Sequence, residues 1–216
     1  MNFRYLTGPD DPALADVFRI YHASFPPESR EPDERLIQEL RGEYRLPFKF
    51  LITSGAPSPS SGCIVPDEGE GVGGEGAKPA EDRASAERSP AAFARFAVLY
   101  SAEFAFLIHI AVDEPWRGQG IGTALLQRVL QDASPLPLLV EIDREGPVLE
   151  WYERQGFHVV SETYTQPAVR PETGPVRFAL FAHGHIPDRS EMVVRFYQSV
   201  WELKPDHPFV REALGA

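Results

Sequence analysis

The stretch 104–131 constrains the fold most, because it joins an apolar run to a helical repeat through a cluster of glycines. Residues 104–112 are apolar and rich in aromatic and branched side chains, which is typical of a strand buried on both faces. Pro115 ends this run. Beyond the glycines, apolar residues return at helical spacing, at Ile121, Ala124, Leu125 and Val129. The pattern predicts a strand, a turn and a helix that begins inside the glycine cluster.

The glycine cluster reads Arg117-Gly118-Gln119-Gly120-Ile121-Gly122 and predicts a site for an anion. The first N–H groups of a helix have no partner within the helix, and its N-terminus carries about half a positive elementary charge. Glycines let a phosphate approach these groups without obstruction by side chains. A tight turn without a ligand is the structural alternative, although each glycine costs roughly 0.5–1 kcal/mol relative to alanine in a helix.

Two common phosphate motifs do not fit this cluster. A P-loop requires a lysine, which this cluster lacks, and a dinucleotide fingerprint requires Gly-x-Gly-x-x-Gly, whereas these glycines are spaced by two and two. Residues 71–76 do have the dinucleotide spacing. No predicted strand precedes them and no predicted helix follows them, so we do not interpret them as a binding site.

The arrangement of Arg117, Gly120 and Gly122 resembles the Arg/Gln-x-x-Gly-x-Gly/Ala motif of the GNAT superfamily of acyl-coenzyme A N-acyltransferases. In that family the motif follows the fourth strand and opens a helix. The resemblance implies acetyl-coenzyme A as acyl donor, with its pyrophosphate on the backbone amides of the turn and its pantetheine arm on exposed backbone of strand four. The implied donor-binding residues are Ile110, Ala111, Val112, Arg117, Gly118, Gln119, Gly120, Ile121, Gly122 and Thr123.

A second motif, Tyr152-Glu153-Arg154-Gln155-Gly156-Phe157, resembles the Tyr-x-x-x-Gly-Phe signature of the same family. The resemblance implies that the Tyr152 hydroxyl points at the donor sulfur and protonates, or hydrogen-bonds, the departing thiolate. A phenol with a pKa near 10 stays protonated at neutral pH, so this role is chemically reasonable. A packing tyrosine is the alternative. The chain departs from the family at Glu145, where an asparagine is common, and at Val148, where a small residue is usual.

Acyl transfer to an amine requires a group that accepts the amine's proton and a donor, such as a strand-four amide, that stabilises the oxyanion. Glu141, on the predicted fifth strand, is the first candidate for the base, although its carboxylate could instead orient a neighbour. His109 is the second candidate, but a lone histidine in an apolar strand is more often part of the core. Cys63 lies in a low-complexity segment, so we expect direct transfer without a covalent enzyme intermediate.

Two elements are candidates for the acceptor site. The connector 24–32 is charged and rich in proline, and residues 164–167 read Tyr-Thr-Gln-Pro; both resemble elements of a subset of uncharacterised bacterial GNAT proteins. The resemblance places both near the acceptor, and a solvated loop is the alternative for the connector. The implied acceptor contacts are Glu28, His109, Tyr164 and Gln166. The acceptor itself, a small-molecule or peptide amine, is not identified by the sequence.

The order of elements predicts an α/β (α+β) fold with a mixed, mostly antiparallel sheet of about seven strands and flanking helices. The resemblance adds that parallel strands four and five splay apart. We expect a single domain over 1–216, with a disordered low-complexity insert at 54–90, because glycine, proline and serine there leave too little apolar surface to offset backbone entropy. A C-terminal helical extension is predicted at 187–216, as one helix to residue 201 and a short tail.

Composition excludes several classes of partner. The formal net charge of -11 argues against nucleic acid, whose binders usually carry a basic face. The N-terminus lacks the apolar core of a signal peptide, and no run reaches transmembrane length, so we expect a cytoplasmic protein without a membrane partner. The pair His183 and His185 lacks an evident carboxylate or thiol partner, and no metal is predicted. A monomer or homodimer is expected.

Three functional hypotheses follow. The favoured one is an N-acetyltransferase that moves an acetyl group from acetyl-coenzyme A to a primary amine by direct transfer. The second is a GNAT-fold acyl-coenzyme A sensor without turnover, which the departures at Glu145 and Val148 would permit. The third is a nucleotide-dependent enzyme that uses the same glycine turn to bind ATP or NAD.

Overall fold

The computed structural model describes residues 1–54, 89–170 and 172–215. The insert predicted at 54–90 lies, apart from its end residues, outside the described ranges, and Cys63 lies outside them as well.

Seven strands form one sheet in the order β1-β2-β3-β4-β5-β7-β6. The strands are β1 (Asn2–Tyr5), β2 (Phe48–Ser54), β3 (Pro90–Leu99), β4 (Phe104–Val112), β5 (Leu138–Ile142), β6 (His158–Gln166) and β7 (Val176–His183). The helices are α1 (Leu14–Ser24), α2 (Asp33–Leu40), α3 (Ile121–Ala133), α4 (Leu149–Arg154), α5 (Arg189–Trp201) and α6 (Pro208–Ala213). Every neighbouring pair is antiparallel except β4 and β5, which are parallel. The predicted mixed sheet of seven strands is therefore confirmed.

The parallel strands β4 and β5 pair along only part of their length. Their register joins Ala105 to Leu138, Phe106 to Leu139 and Leu107 to Val140, and β4 then continues to Val112 without β5 as a partner. On its other side, β4 carries an extra residue at Ile108, because His109 pairs with Arg95 whereas Leu107 pairs with Phe96. Such a bulge bends a strand and increases its twist. The two strands consequently separate beyond this point, and the predicted splay is confirmed.

Helices cover both faces of the sheet. The helix α3 packs Leu125, Leu126 and Val129 onto one face, together with residues of α4. On the opposite face lie α5 with α6 and, beside them, α1. The central strand β3 is buried along all 10 of its residues, which accounts for its nearly continuous apolar sequence. The centre of the sheet is therefore packed on both faces where β4 and β5 begin to separate.

The C-terminal region differs from its prediction. A short tail was expected after Trp201, but residues 208–213 form the helix α6. Pro208 stands in its first turn, where the missing N–H group costs nothing, and Val210 and Ala213 are buried. The Ala213 carbonyl accepts a hydrogen bond from Ser161 Oγ at 2.7 Å, which fastens α6 to β6. Two buried positions in a short segment give too weak a periodic signal to predict such a helix.

A proline and an aspartate mark the start of two elements. The strand β5 begins at Leu138, directly after Pro137. The helix α1 begins at Leu14, and the Asp11 carboxylate before it accepts a hydrogen bond from the Ala13 amide at 2.9 Å and pairs with Arg4 at 2.7 Å. None of the helices in the described ranges combines the length and the apolar character that a bilayer crossing requires.

Candidate active site

A cleft of about 610 Å³ lies where β4 and β5 separate. One wall is the far half of β4 and the other is the end of β5, while the glycine turn and the helix α4 close the cleft at its sides. A further apolar side chain, Phe25, reaches the cleft from the connector between α1 and α2. The lining residues that the sequence predicted are Ile110, Ala111, Val112, Arg117, Gly118, Gly120, Ile121, Gly122, Thr123, Glu141 and Tyr152.

The glycine turn presents backbone amides without helical partners. The first hydrogen bond within α3 runs from the Ala124 N–H to the Gly120 carbonyl at 3.0 Å, so the amides of residues 121–123 have no acceptor inside the helix. Gly118 and Gly120 both have φ of 76°, a left-handed conformation that costs other residues about 1–2 kcal/mol. The space that a Cβ would enter at either glycine is empty to 4 Å. This is the geometry that an anion site at a helix N-terminus requires.

Glycine is needed at position 122 for a different reason, the close approach of α3 to β4. A Cβ at this position would lie 3.3 Å from Val112 Cγ2, so only glycine lets α3 approach β4 without displacing that side chain. The helix N-terminus is thereby held against the end of β4 that pairs with β3 but not with β5. The two parts of the predicted donor site, the turn and the strand, are in direct contact.

The polar side chains of the turn brace its backbone. Arg117 Nε donates to the Val112 carbonyl at 3.0 Å, and Gln119 Nε2 donates to the Pro115 carbonyl at 3.2 Å. Arg117 lines the cleft, whereas Gln119, which the sequence placed among the donor contacts, does not. The structure therefore gives the Gln119 side chain a role in holding the turn.

Tyr152 lies on α4 and lines the cleft with only 6% of its surface exposed. Its ring packs edge-on against Trp151 and Phe157, with centroids 4.8 Å and 5.1 Å away. Burial raises the pKa of Tyr152 above the usual value of a phenol, so the hydroxyl stays protonated. The packing fixes the ring, and the hydroxyl is available as a hydrogen-bond donor.

Glu141 lies on β5 and also lines the cleft. One carboxyl oxygen accepts a hydrogen bond from the Tyr164 hydroxyl, and the other accepts one from Gln166 Nε2 at 3.0 Å. Burial raises the pKa of Glu141 to about 8, against the opposing effect of the hydrogen bond from Tyr164 and of the nearby Trp201 N–H group. A carboxyl group that titrates near neutral pH can both take up and release a proton under physiological conditions.

Tyr164 and Gln166, two predicted acceptor contacts, both bind Glu141 instead. Tyr164 is 0% exposed, so it does not reach a molecule in the cleft, and its hydroxyl also accepts a hydrogen bond from Trp201 Nε1 at 2.6 Å. The pairing of Tyr164 with Glu141 and with Trp201 was not recognisable from the sequence. The Tyr-Thr-Gln-Pro element lies near the predicted site and contacts Glu141, and Gln166 as an acceptor contact stays a prediction.

His109 lies in the core beside the cleft. Its ring centroid is 4.9 Å from that of Tyr21 and 4.6 Å from that of Phe25, and its Nδ1 lies 3.2 Å from Arg95 Nη1. Since an arginine only donates, Nδ1 is the acceptor and carries no proton. Burial, and then the charge of Arg95, lower the pKa of His109 well below its usual value. Its role as a base is therefore disfavoured, and its contact with Phe25 supports the cleft wall.

A buried ion cluster anchors the connector between α1 and α2. Arg95, which is 0% exposed, donates through Nε to Glu39 at 2.8 Å and also pairs with Glu31. The Glu31 amide donates to the Tyr21 hydroxyl at 2.9 Å. The connector was predicted either to wall the acceptor site or to be solvated. Glu31, the last charged residue of the connector, is buried, and Phe25 near the start of the connector lines the cleft.

The remaining predicted residues are placed as follows. Val148, one of the two departures from the family motif, is 47% exposed and lines the cleft, whereas Glu145 is exposed to solvent. The side chain of Glu28 lies outside the described part of the chain. Within the described ranges, no three His, Cys, Asp or Glu side chains come together as a metal site.

Comparisons with known proteins agree with this geometry. A family model described as an acetyltransferase (GNAT) domain matches residues 63–159, a range that includes both predicted motifs. A comparison with curated protein sequences found no significant match.

Solved structures share the fold. A protein assigned to the GNAT family of acetyltransferases from Bacteroides thetaiotaomicron is 18% identical with a TM-score of 0.67, covering 94% of this chain and 100% of that one. Another from Desulfovibrio desulfuricans is 17% identical with a TM-score of 0.52, covering 85% and 98%. NAA60 from Arabidopsis thaliana, in complex with a bisubstrate analogue, is 13% identical with a TM-score of 0.56, covering 84% and 96%. Residues 63–159 therefore match the acetyltransferase (GNAT) domain, and the described part of the chain has the fold of these GNAT-family structures.

Proposed function

We propose that this protein is an N-acetyltransferase that transfers the acetyl group of acetyl-coenzyme A directly to a primary amine. The observation that carries the proposal is the cleft itself, which runs between the separated strands β4 and β5 with unpaired helix amides, Tyr152 and Glu141 all on its surface. The family of the domain supports acetyl transfer in general, and the placement of these groups supports transfer within one cleft.

The residues of the cleft fit coenzyme A. The amides of residues 121–123 and the positive end of α3 suit a pyrophosphate. Beyond Leu107 the backbone of β4 has no partner on β5. Apart from the Val112 carbonyl, which accepts from Arg117, the N–H and carbonyl groups on that side are available to bond the amides of a pantetheine arm. The apolar side chains of Ile110, Val112 and Val140 suit the carbon chain of that arm.

The chemistry then requires three contributions from the protein. The bound donor supplies a thioester whose carbon–sulfur bond breaks as a carbon–nitrogen bond forms. Glu141 accepts the proton that the attacking amine loses, Tyr152 donates a hydrogen bond or a proton to the departing sulfur, and an N–H group on the open edge of β4 stabilises the oxyanion. At pH 7 a carboxyl group with a pKa of about 8 is ionised in about one molecule in ten. An ammonium group beside Glu141 raises that fraction, because an opposite charge favours the carboxylate.

The substitution Tyr152→Phe tests this assignment. It removes the hydroxyl and keeps the packed ring, so we expect kcat to fall by roughly 100-fold, the lower end of the usual contribution of a general acid. The affinity for coenzyme A should stay within about twofold, because the hydroxyl acts on the sulfur only as the bond breaks. Thiol release with a panel of amines measures kcat, and isothermal titration measures the affinity.

Tyr100→Phe is the matched control, since Tyr100 is 72% exposed and does not line the cleft. An unchanged kcat in Tyr152→Phe would return Tyr152 to a packing role. If the wild-type protein binds acetyl-coenzyme A but releases no thiol from it with any amine of the panel, the sensor is favoured over the enzyme.

A further inference from the structure

Trp201 lies at the end of α5 and reaches the cleft through two side chains. Its Nε1 donates to the Tyr164 hydroxyl at 2.6 Å, and that hydroxyl donates to Glu141. The three residues come from α5, β6 and β5, and β7 lies between the two strands in the sheet. The C-terminal helix is thus connected by hydrogen bonds to the carboxyl group that faces the cleft.

The hydrogen bonds run from Trp201 toward the ionised form of Glu141. An indole N–H only donates, so the Tyr164 oxygen accepts from Trp201; a carboxylate only accepts, so the single Tyr164 proton is directed to it. Gln166 donates to the other carboxyl oxygen at 3.0 Å. Both oxygens of Glu141 therefore accept hydrogen bonds, an arrangement that suits the carboxylate and not the neutral acid.

Among the described residues, the other groups around Glu141 give the carboxylate no electrostatic support. Glu31, on the connector, carries a like charge and raises the pKa of Glu141 further. Burial raises the pKa of both Tyr164 and Tyr197, so both phenols stay neutral. The Tyr197 hydroxyl bonds only the backbone of Thr165, to which it donates at 2.9 Å and from which it accepts at 3.0 Å. The hydrogen bonds donated to Glu141 are therefore what stabilises its carboxylate, which burial disfavours.

We propose that Trp201 is a positioning residue of the active site, which acts through Tyr164 to hold Glu141 as the carboxylate that accepts the proton of the amine. This inference rests on the proposed function of Glu141. It assigns the end of the C-terminal helix a part in the reaction, although Trp201 itself does not line the cleft.

The test is the pH profile of kcat/KM in Trp201→Phe and Tyr164→Phe. In the wild-type protein the rate should rise through the pKa of Glu141, about 8, because only the carboxylate accepts a proton. Loss of a donor raises that pKa, so the acidic limb should move to higher pH by about half to one unit. At pH 7 the rate then falls about 3- to 10-fold, and the loss disappears at high pH. Tyr164→Phe should show the larger shift, since it removes the direct donor.

Tyr197→Phe is the matched control within the same helix. Its hydroxyl is buried and hydrogen-bonded like that of Tyr164, but it does not contact Glu141. The control should leave the acidic limb in place, even if packing lowers the rate at all pH values. The titration of the amine acceptor is common to all variants and cancels in the comparison.

A second measurement separates this inference from the proposed function. Carboxyl carbon NMR of the full chain without substrate follows the titration of Glu141, and Glu141→Gln identifies its signal. We expect a higher midpoint in Trp201→Phe than in the wild-type protein, whether or not any amine is turned over. An equal midpoint, or a lower rate with an unmoved acidic limb, would overturn the role of Trp201.

Discussion

Gly120→Val should weaken the binding of coenzyme A by about 100-fold or more, which corresponds to about 2.7 kcal/mol, while the chain stays folded. Gly120 has φ of 76°, where a branched side chain is strained, and its side chain would enter the open space beside the free amides of α3. The helix itself is held by Leu125 and Val129, which are fully buried against the sheet. Isothermal titration measures the affinity, and denaturant unfolding confirms that the loss of stability is limited to about 2 kcal/mol.

Gly42→Val is the control for backbone strain. Gly42 has φ of 71° with open space around its missing Cβ, but it follows α2 and does not line the cleft. Its substitution should cost similar stability and leave the affinity for coenzyme A unchanged. Equal affinities of the Gly120 variant and the wild-type protein would contradict the assigned anion site. If both variants lost the same affinity for coenzyme A, the effect would be due to backbone strain alone.

Arg95→Met should lower the free energy of unfolding at pH 7 by about 3–5 kcal/mol, the usual cost of removing one partner from a buried ion pair. Arg95 is 0% exposed, and its loss leaves Glu31 and Glu39 with Arg35, whose Nε lies 3.1 Å from Glu31 and 3.7 Å from Glu39. Burial raises the pKa of Glu39, and Arg95 opposes that rise. Without Arg95 the carboxyl pKa rises further. The variant should then recover part of its stability as the pH falls toward 5, because protonation of Glu39 relieves part of the unpaired charge.

Arg144→Met is the matched control, because the Arg144–Glu162 pair is exposed, with 52% and 63% of the two side chains accessible. We expect a change of at most about 0.5–1 kcal/mol for this variant. Denaturant unfolding at pH 5 and pH 7 provides both comparisons. If Arg95→Met stays within about 1 kcal/mol of the wild-type protein at pH 7, the buried cluster does not anchor the connector as the structure indicates.

The local patterns of the sequence were sufficient to predict the scaffold of the site. A strand, three glycines and a helical repeat lie within one short stretch, so their geometry depends on neighbouring residues and not on distant ones. The same holds for the short helix that carries Tyr152, which ends at Arg154, just before Gly156 with φ of 88°. These elements are where the sequence predicted them, and the family motifs added the order and the splay of the strands.

The surroundings of Glu141 and Arg95 depend on contacts between distant segments. Arg95 pairs with residues 56 and 64 positions away, and Tyr164 with Trp201 across 37 positions. Side-chain pairing of this kind has no periodicity, so it cannot be read from one sequence. The bulge at Ile108 has a related effect, because it places Ile110 on the same face as Leu107 and His109 on the other, against the simple alternation of a strand.

The most direct test of this account is a structure of the protein with coenzyme A bound. We expect pyrophosphate oxygens about 2.7–3.2 Å from the amides of residues 121–123, and the sulfur beside the Tyr152 hydroxyl in the gap between β4 and β5. A pyrophosphate bound away from the N-terminus of α3, or a pantetheine arm outside the gap between the two strands, would contradict the account.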